Sequence, residues 1–368
     1  MEYTNEKLKI MHDKKQINAK YAKWYYAMHQ EFEYVDNAPI QYMYRKKSER
    51  INDCMNLWLW DVYHNNKIMD LQRVNRCKNT HFCPNCRLLD ISKTITKFKD
   101  TVSPFLADGY ALYLLTLTVP NCSGSELDDT LKAMSSAFRK LVRKYHEDGV
   151  NAFKNRSVCF DGGIRVLEIT YNDKDNTYHP HYHCVILIKN PIQSNMMDKT
   201  IAGKYSRKRG SIDKKSYMDC EIGQLWSFIY QGIAVNRKNI NNYQYIPSEI
   251  CLTNTDKRVL EVDFREMDYN GFYEVFKYTF KDADISTYNV FKHIAMSLSG
   301  KRIRNGFGLL KKIDWDNVDV GVGQDLVLEK EEAPESLLTK SIQELYVTFA
   351  NYHKISRYQC NIDDNIDF

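Results

Sequence analysis

The sequence predicts an α+β fold in which an antiparallel β-sheet is flanked by helices and accompanied by a small cysteine-rich module. Short apolar, β-branched runs alternate along the 368-residue chain with segments of helical periodicity. Two of these runs are separated by a short polar turn, which is typical of an antiparallel hairpin. Several cysteines are concentrated in one stretch of the N-terminal third. These three observations predict the fold class.

Composition limits the class of protein. The chain is 43% hydrophobic with a formal net charge of +5 and a pI near 8.5, which permits ordinary buried cores and a nucleic-acid partner. We expect a cytoplasmic protein, because the N-terminus does not resemble a signal peptide and no apolar run is long enough to span a membrane. The ten cysteines should then stay reduced, so their clustering favours metal binding over disulfides.

Changes in composition along the chain predict four segments. Residues 1–50 form a basic, partly helical extension that we expect to be a surface or partner-binding element. Residues 51–98 form the cysteine-rich module, and 99–312 form the main domain that contains the sheet. Residues 313–368 form an acidic tail.

The first part of the main domain is predicted as a strand followed by a helix. Ala111–Val119 is β-branched and apolar and ends at Pro120, which indicates a buried strand. A helix should begin at Ser125, which resembles a capping residue paired with Asp128. Its apolar stripe consists of Leu127, Leu131, Met134, Phe138, Leu141, Val142 and Tyr145.

The second part of the main domain is predicted as a hairpin followed by three further elements. Strands Ile164–Tyr171 and His181–Ile188 flank the polar turn Asn172–Thr177. The remaining elements are a helix at Leu225–Ile229, a strand at Val259–Phe264 and a helix at Tyr273–Lys281.

The hairpin contains a candidate metal site. His181 and His183 are two residues apart, so their side chains lie on one face of a strand and can reach one ion. Folding the hairpin about its turn places Glu168 opposite them. Two imidazoles and one carboxylate leave coordination positions open for a phosphate oxygen. The alternative is a hydrogen-bonded pair of surface histidines.

The helix predicted at Tyr273–Lys281 contains a candidate nucleophile. Glu274 and Tyr278 are four residues apart and share a helical face, and Lys281 follows three residues later. A phenol has a pKa near 10, so a metal ion or a neighbouring lysine has to favour its attack on a phosphodiester. Glu274 is suited to activate a water molecule or a second hydroxyl for the release step. Tyr273 and Tyr269 are competing nucleophiles.

The cysteine-rich module contains a candidate zinc site. Cys83 and Cys86 form a CxxC pair, with Cys77 and Cys54 upstream. Four thiolates would close a tetrahedral structural zinc site, and His81 is an alternative to Cys54 as the fourth ligand. The other interpretation is that these are ordinary reduced cysteines.

Three motifs in order resemble a known family, the replication initiators of small bacterial rolling-circle plasmids. The match is to their single-tyrosine group, within the HUH (histidine-hydrophobe-histidine) endonucleases. The motifs are Leu115-Thr-Leu-Thr-Val-Pro-Asn121, His179-Pro-His-Tyr-His183 and Tyr273-Glu-Val-Phe-Lys-Tyr278. The resemblance covers roughly residues 50–310.

This resemblance implies a fold, an activity and partners. The sheet would be the ferredoxin/RRM-like sheet of HUH endonucleases, with Mg²⁺ or Mn²⁺ at the histidines and structural Zn²⁺ at the cysteines. Tyr278 would nick the double-strand origin, stay joined to the 5′ phosphate and leave a 3′ hydroxyl as primer, and Glu274 would assist termination. The partners implied are plasmid origin DNA, a host helicase and polymerase, and further copies of the chain on DNA.

Two other functions are compatible with the same residues. A relaxase or transposase would share the chemistry, but relaxases usually carry their tyrosine ahead of the histidines. A non-catalytic nucleic-acid-binding protein with a zinc module and a basic loop would bind phosphates without chemistry, and its sheet would bind single strands by stacking. The basic segment 199–217 is either a DNA-contacting loop or a solvated insertion, and its candidate DNA-binding residues are Lys204, Arg207, Lys208 and Arg209.

Overall fold

A computed structural model describes most of the chain in two compact units. The described residues are 5–32, 38–63, 68–146, 159–189, 221–236, 262–266, 275–276, 285–313, 315 and 342–348. One unit, here called the terminal unit, combines Met1–Lys93 with Val318–Phe368, and the central unit is Thr94–Asn317. Within the described part of the chain, none of the helices is both long and apolar enough to cross a membrane.

Helices and strands are numbered here in chain order. The helices are α1 (Asn5–Glu31), α2 (Ala38–Asn52), α3 (Pro84–Ala107), α4 (Leu127–His146), α5 (Glu221–Tyr230) and α6 (Tyr288–Ser297). The strands are β1 (Leu57–Tyr63), β2 (Ile68–Val74), β3 (Ala111–Thr118), β4 (Gly162–Asn172), β5 (Thr177–Ile188), β6 (Val262–Glu266), β7 (Arg304–Gly308) and β8 (Ile342–Thr348).

The terminal unit contains a helical hairpin and a small sheet. Helices α1 and α2 contact each other through Tyr25 and Tyr44, whose rings stack at 6.1 Å. The sheet has the order β2-β1-β8, and β1 is antiparallel to both neighbours. Strand β8 comes from the segment predicted as an acidic tail, and the sequence analysis did not predict it. Its place beside β1 depends on pairing between segments almost 300 residues apart, which local sequence does not encode.

The central unit is an antiparallel five-stranded sheet with helices, so the predicted α+β class with an antiparallel sheet is confirmed. Its order is β6-β3-β5-β4-β7, and every neighbouring pair is antiparallel. The two apolar strands β3 and β5 therefore lie inside the sheet, where both are mostly buried. Strands β6 and β7 form its edges.

The turn of the β4–β5 hairpin sets its register. Asn172 accepts a hydrogen bond from the Lys174 backbone N–H (3.1 Å) and donates one to the Asp175 carboxylate (2.6 Å). Asn176 has a φ of 50°, a left-handed conformation that asparagine adopts more readily than most residues. The resulting register pairs Asn172 with Thr177 and Glu168 with His181. A slip of one residue would move every side chain to the opposite face.

Helix α4 covers the sheet face opposite His181 and His183. Tyr182, between the two histidines in sequence, points to this face, and its ring contacts Phe138 of α4 at 5.6 Å. The predicted apolar stripe of α4 is buried except for the half-buried Val142. The predicted capping pair was wrong. The helix begins at Leu127, two residues after Ser125. The pair that forms before it is Ser123 with Glu126: Ser123 donates to the Glu126 carboxylate through its hydroxyl (2.7 Å) and its backbone N–H (3.0 Å).

Candidate metal centre and catalytic residues

Three polar side chains converge on the sheet face opposite α4. The Nε2 atoms of His181 and His183 lie 3.2 Å and 3.0 Å from the same oxygen of Glu168, Oε2. His181 comes from β5 directly opposite Glu168 on β4, and His183 is one two-residue step further along the same face. The antiparallel register therefore brings together the two histidines and the acid named in the sequence analysis.

Each imidazole also has a hydrogen-bond partner at its other ring nitrogen, Nδ1. His181 Nδ1 donates a hydrogen bond to the carbonyl oxygen of His179 at 3.2 Å. His183 Nδ1 lies 3.1 Å from the hydroxyl of Thr116, which faces it across the β3–β5 ladder. Metal-binding histidines usually have such a partner on the second ring nitrogen, which fixes the orientation of the ring.

The protonation of His181 follows from this geometry. A carbonyl oxygen only accepts hydrogen bonds, so the Nδ1 of His181 carries the proton. In the neutral ring the Nε2 lone pair then points at a carboxylate oxygen 3.2 Å away. Two lone pairs repel at that distance, and a proton or a metal ion between them removes the repulsion. The donor set is therefore suited to a shared cation.

The environment of Glu168 favours its charged form. Burial raises the pKa of this carboxyl, but when His181 and His183 are protonated on both ring nitrogens their hydrogen bonds and charge attraction outweigh burial and lower the pKa to about 2. The side chain is only 15% exposed. Glu168 is thus a carboxylate at neutral pH, the form that a divalent cation requires.

The spacing of the donor atoms fits a small divalent ion. Bond lengths of roughly 2.1 Å around an octahedral ion place neighbouring ligand atoms about 3.0 Å apart. The two nitrogen–oxygen distances are 3.2 Å and 3.0 Å, and all three donor atoms lie within 4.8 Å of one another. A hydrogen-bonded cluster has similar distances, so the spacing is compatible with an ion without requiring one.

The candidate nucleophile and its helix are largely outside the described residues. Glu274, Tyr278 and Lys281 are not among them, and their roles stay predictions. Val275 and Phe276, between the glutamate and the tyrosine in sequence, have helical backbone and are buried. The Phe276 ring contacts Phe98 of α3 at 5.3 Å. The basic residues Lys204, Arg207, Lys208 and Arg209 also lie outside the described residues.

Four cysteine thiols form a second cluster, within the terminal unit. Cys54 follows α2, Cys77 follows β2, and Cys83 and Cys86 flank the start of α3. Three pairs of Sγ atoms are 3.5 to 3.6 Å apart, namely Cys54–Cys86, Cys54–Cys83 and Cys77–Cys86. Tetrahedral zinc with bonds of about 2.3 Å places its sulfurs about 3.8 Å apart. Of the two fourth ligands considered, Cys54 lies in the cluster.

Hydrogen bonds to sulfur surround this cluster. Backbone N–H groups of Cys86, Asn79 and Cys77 donate to the thiols of Cys83, Cys77 and Cys54 respectively, at 3.4 to 3.5 Å. The Asn18 amide of α1 also donates to Cys83 at 3.3 Å. Hydrogen bonds from the three other thiols lower the pKa of Cys83, whereas hydrogen bonds with the same group of thiols raise the pKa of Cys77. The donors thus stabilise negative charge on the Cys83 sulfur, and a thiolate-bound metal site requires such charge.

Thr116 is a site residue to which the sequence analysis gave no role. Thr116 belongs to the Leu115–Asn121 motif. Its alternation with Leu115 and Leu117 placed it on one face of β3, but its contact with His183 depends on the pairing of two strands. A polar residue inside an apolar strand was the available signal.

The comparisons with known proteins fit these observations. A family of replication proteins matches residues 68–197, a range that contains β3, β4 and β5. A "Protein rep" of Bacillus amyloliquefaciens is 26% identical over 306 residues, 79% of each chain. A "Protein rep" of a Bacillus species is 24% identical over 295 residues, which covers 77% of this chain and 84% of that protein. A third, from Staphylococcus aureus, is 27% identical over 215 residues, 58% of this chain and 73% of that protein.

These matches show that the chain is similar to replication proteins. Because they extend over most of several proteins called "Protein rep", they confirm the recognition of this chain as similar to plasmid replication initiator (Rep) proteins. No solved structure matches the chain significantly.

Proposed function

We propose that this protein starts plasmid replication as a metal-dependent nickase of the HUH type. The observation that carries the proposal is the convergence of His181, His183 and Glu168 on one face of the sheet, with Nε2–Oε2 distances of 3.2 Å and 3.0 Å. The similarity to "Protein rep" sequences and the order of the three motifs support it. The central position of β5 in the antiparallel sheet agrees with the ferredoxin-like sheet of HUH endonucleases.

The three converging side chains are proposed to hold one Mg²⁺ or Mn²⁺ ion. Such an ion polarises a phosphate and offsets the negative charge that develops during phosphoryl transfer. Thr116 and the His179 carbonyl oxygen keep the imidazoles oriented through Nδ1. Glu168 would be the negatively charged ligand of the ion. His183 is the most exposed of the three side chains, at 25%.

Tyr278 is the proposed nucleophile. Its phenolic oxygen attacks the scissile phosphorus, a bond forms between tyrosine and the 5′ phosphate, and the bond from phosphorus to the 3′ oxygen breaks. The departing oxygen takes a proton and becomes the 3′ hydroxyl that primes synthesis. Lys281, three residues later, favours the phenolate form by its positive charge.

Glu274 is the proposed base for the release step. Its spacing of four from Tyr278 is that of one helical face, and Val275 between them has helical backbone. Glu274 would take a proton from water or from a second 3′ hydroxyl as that group attacks the phosphotyrosine. Hydrolysis at this point would end a round of replication.

The four cysteines are proposed to bind one structural Zn²⁺ ion. The close Sγ spacing and the N–H donors around the sulfurs support this assignment. The ion would join α2, the segment after β2 and the start of α3, which are far apart in sequence. Its role would be architectural, because four thiolates leave no open coordination position.

The test of the proposed function is strand nicking with a supercoiled plasmid that carries the cognate origin. With Mg²⁺ or Mn²⁺ we expect nicked circles and a protein–DNA adduct that survives denaturant. Tyr278→Phe should abolish both, whereas the matched control Tyr273→Phe should retain them. Glu274→Ala should still nick but release the adduct slowly.

Three outcomes would contradict parts of this proposal. An adduct that persists in Tyr278→Phe and disappears in Tyr273→Phe would move the nucleophile to Tyr273. Equal loss of nicking and release in Glu274→Ala would remove its separate role. If Tyr278→Phe supports replication unchanged, the protein acts by binding DNA alone.

A further inference from the structure

Two tyrosines of the α1–α2 hairpin are exposed on its surface. The two helices pack antiparallel, because Ser48 donates to the Ala22 carbonyl oxygen (2.7 Å) and His29 Nδ1 to that of Gln41 (3.2 Å). The tyrosines in their interface, Tyr25 and Tyr44, are buried. Tyr42, by contrast, is 60% exposed, and Tyr26 is 49% exposed. Tyr26 and Tyr42 are among the few large apolar side chains that the described residues expose.

Tyr42 is the first residue of a basic strip along α2. The strip consists of Tyr42, Arg45, Lys46, Glu49 and Arg50, whose spacings of three and four place them on one side of the helix. Four of these side chains are exposed and Glu49 is half-buried. The Lys46 ammonium lies 5.5 Å from the Tyr42 ring centre, and Glu49 forms ion pairs with both Arg45 and Lys46.

The surroundings of the α2 strip are also basic. The side chains described at 13–32 and 39–53 include eight lysines and arginines but only four acids. Over the whole of residues 1–53 the excess is two, from ten lysines and arginines and eight acids. Tyr26 lies near the strip, because its ring contacts His29 at 5.6 Å and His29 bonds to Gln41, which precedes Tyr42.

Exposed aromatic rings among lysines and arginines are the composition of surfaces that bind single-stranded nucleic acid. Unpaired bases stack on the rings, and the cations neutralise the phosphates. The bases of a duplex already stack on each other and have no free faces for a tyrosine. The combination on α2 therefore favours an unpaired strand over a duplex.

The hairpin packs against the cysteine cluster. Tyr21 and Tyr25 contact the Phe82 ring at 5.9 Å and 5.8 Å, and Asn18 donates to Cys83 Sγ. Cys54 lies two residues after the end of α2. These contacts hold the α2 strip in place before any ligand binds, which lowers the entropic cost of binding.

We propose that the α2 strip binds single-stranded DNA, with Tyr42 stacking on a base and Arg45 and Lys46 contacting phosphates. This inference rests on the proposed function, since it supplies a place for the unpaired strand that a nickase acts on. The contact with the single strand would then lie in the terminal unit, whereas the residues proposed to cut belong to the central unit.

Binding is measured on the full-length protein with Tyr278→Phe as parent, so that no covalent adduct forms. The probe is a fluorescent oligothymidine of about 20 nucleotides, longer than the roughly 4–16 nucleotides that one single-strand-binding fold covers. Tyr42→Ala should weaken binding about fivefold or more, the lower end for loss of one stacked base. Binding to a duplex of equal length should change little.

The charged residues are tested by salt dependence. Arg45→Gln with Lys46→Gln should lower the slope of log affinity against log salt by about 1.4, because each phosphate contact to a single strand contributes about 0.7. The matched control is Arg139→Gln with Lys140→Gln, an equal charge change on exposed residues of α4, and its slope should equal that of the parent. Glu49→Gln should bind more tightly, because it frees two cations from ion pairs.

Several results would overturn the inference. They are unchanged oligothymidine binding in Tyr42→Ala, an equal slope change in the α4 control, or a loss confined to the duplex. Circular dichroism and thermal unfolding show whether each variant is folded. The nicking assay separates this inference from the proposed function. If the wild type forms no adduct while Tyr42→Ala still loses binding, only the nickase proposal fails.

Discussion

Thr116→Val removes the hydroxyl beside His183 and leaves the other residues of the proposed metal centre unchanged. Valine has nearly the shape of threonine and suits a β-strand, so β3 should keep its pairing with β5. The hydroxyl lies 3.1 Å from His183 Nδ1. His181 should keep its orientation in this variant, because its Nδ1 bonds to a backbone carbonyl that no side-chain change removes.

The expected magnitude follows from the loss of one half-buried hydrogen bond. Such a bond contributes about 0.5–1.5 kcal/mol net, and loss of a partner of a metal-binding histidine lowers affinity about 10- to 100-fold. Thr116 is half-buried, so water can replace part of the bond, and we expect the lower end. Mn²⁺ affinity should fall about tenfold, which corresponds to about 1.4 kcal/mol.

Calorimetric titration of the full-length protein with Mn²⁺ measures this change. Thr116→Ser keeps a hydroxyl and should bind Mn²⁺ nearly as well as the wild type. Equal affinity of the valine variant and the wild type would refute the orienting role of Thr116. A wild-type protein that does not bind Mn²⁺ would refute the metal centre itself.

Two further predictions concern the cysteine cluster and pH. Cys77→Ser should lose the bound zinc, measured by elemental analysis of the purified protein, and should unfold at lower temperature, whereas the half-buried Cys159→Ser should retain both properties. If the two variants contain equal zinc, the four-cysteine site is wrong. The pKa of Glu168 is lowered to about 2, so its contribution to the free energy of unfolding is present above the unfolded pKa of about 4.3 and is lost as the pH falls toward 2. Urea unfolding of the metal-free protein at decreasing pH should therefore show a steeper loss for wild type than for Glu168→Gln, and parallel curves would contradict the charged state assigned to Glu168.

Much of the central sheet was predictable because its signals are local. The bounds predicted for the apolar run Ala111–Val119 and for the two hairpin strands agree with those of β3, β4 and β5 to within a few residues. The polar turn decided which residues of the hairpin face each other, since Asn172 and Asn176 stabilise it by themselves. The two-residue period of a strand was enough to place His181 and His183 on one face. Whether they bind a metal stays a prediction.

Other elements had no such local signal. Strand β7 is only five residues long and includes two glycines, so its sequence does not indicate a strand. Its place follows from pairing with β4. The capping arrangement before α4 was misassigned by two residues, because Ser123 and Ser125 have the same local pattern and only the end of the helix distinguishes them.

The sequence by itself determined which residue types are available for chemistry: a histidine pair in alternation, an acid across a turn, a tyrosine on a predicted helix and a group of cysteines. The tertiary structure decided which side chains meet. It placed Thr116 behind His183, Cys54 beside Cys83 and Cys86, and β8 beside β1. The physical reason is the range of the interactions. Periodicity and turn formation depend on neighbouring residues, whereas strand pairing and thiol clustering depend on segments that become neighbours only when the chain folds.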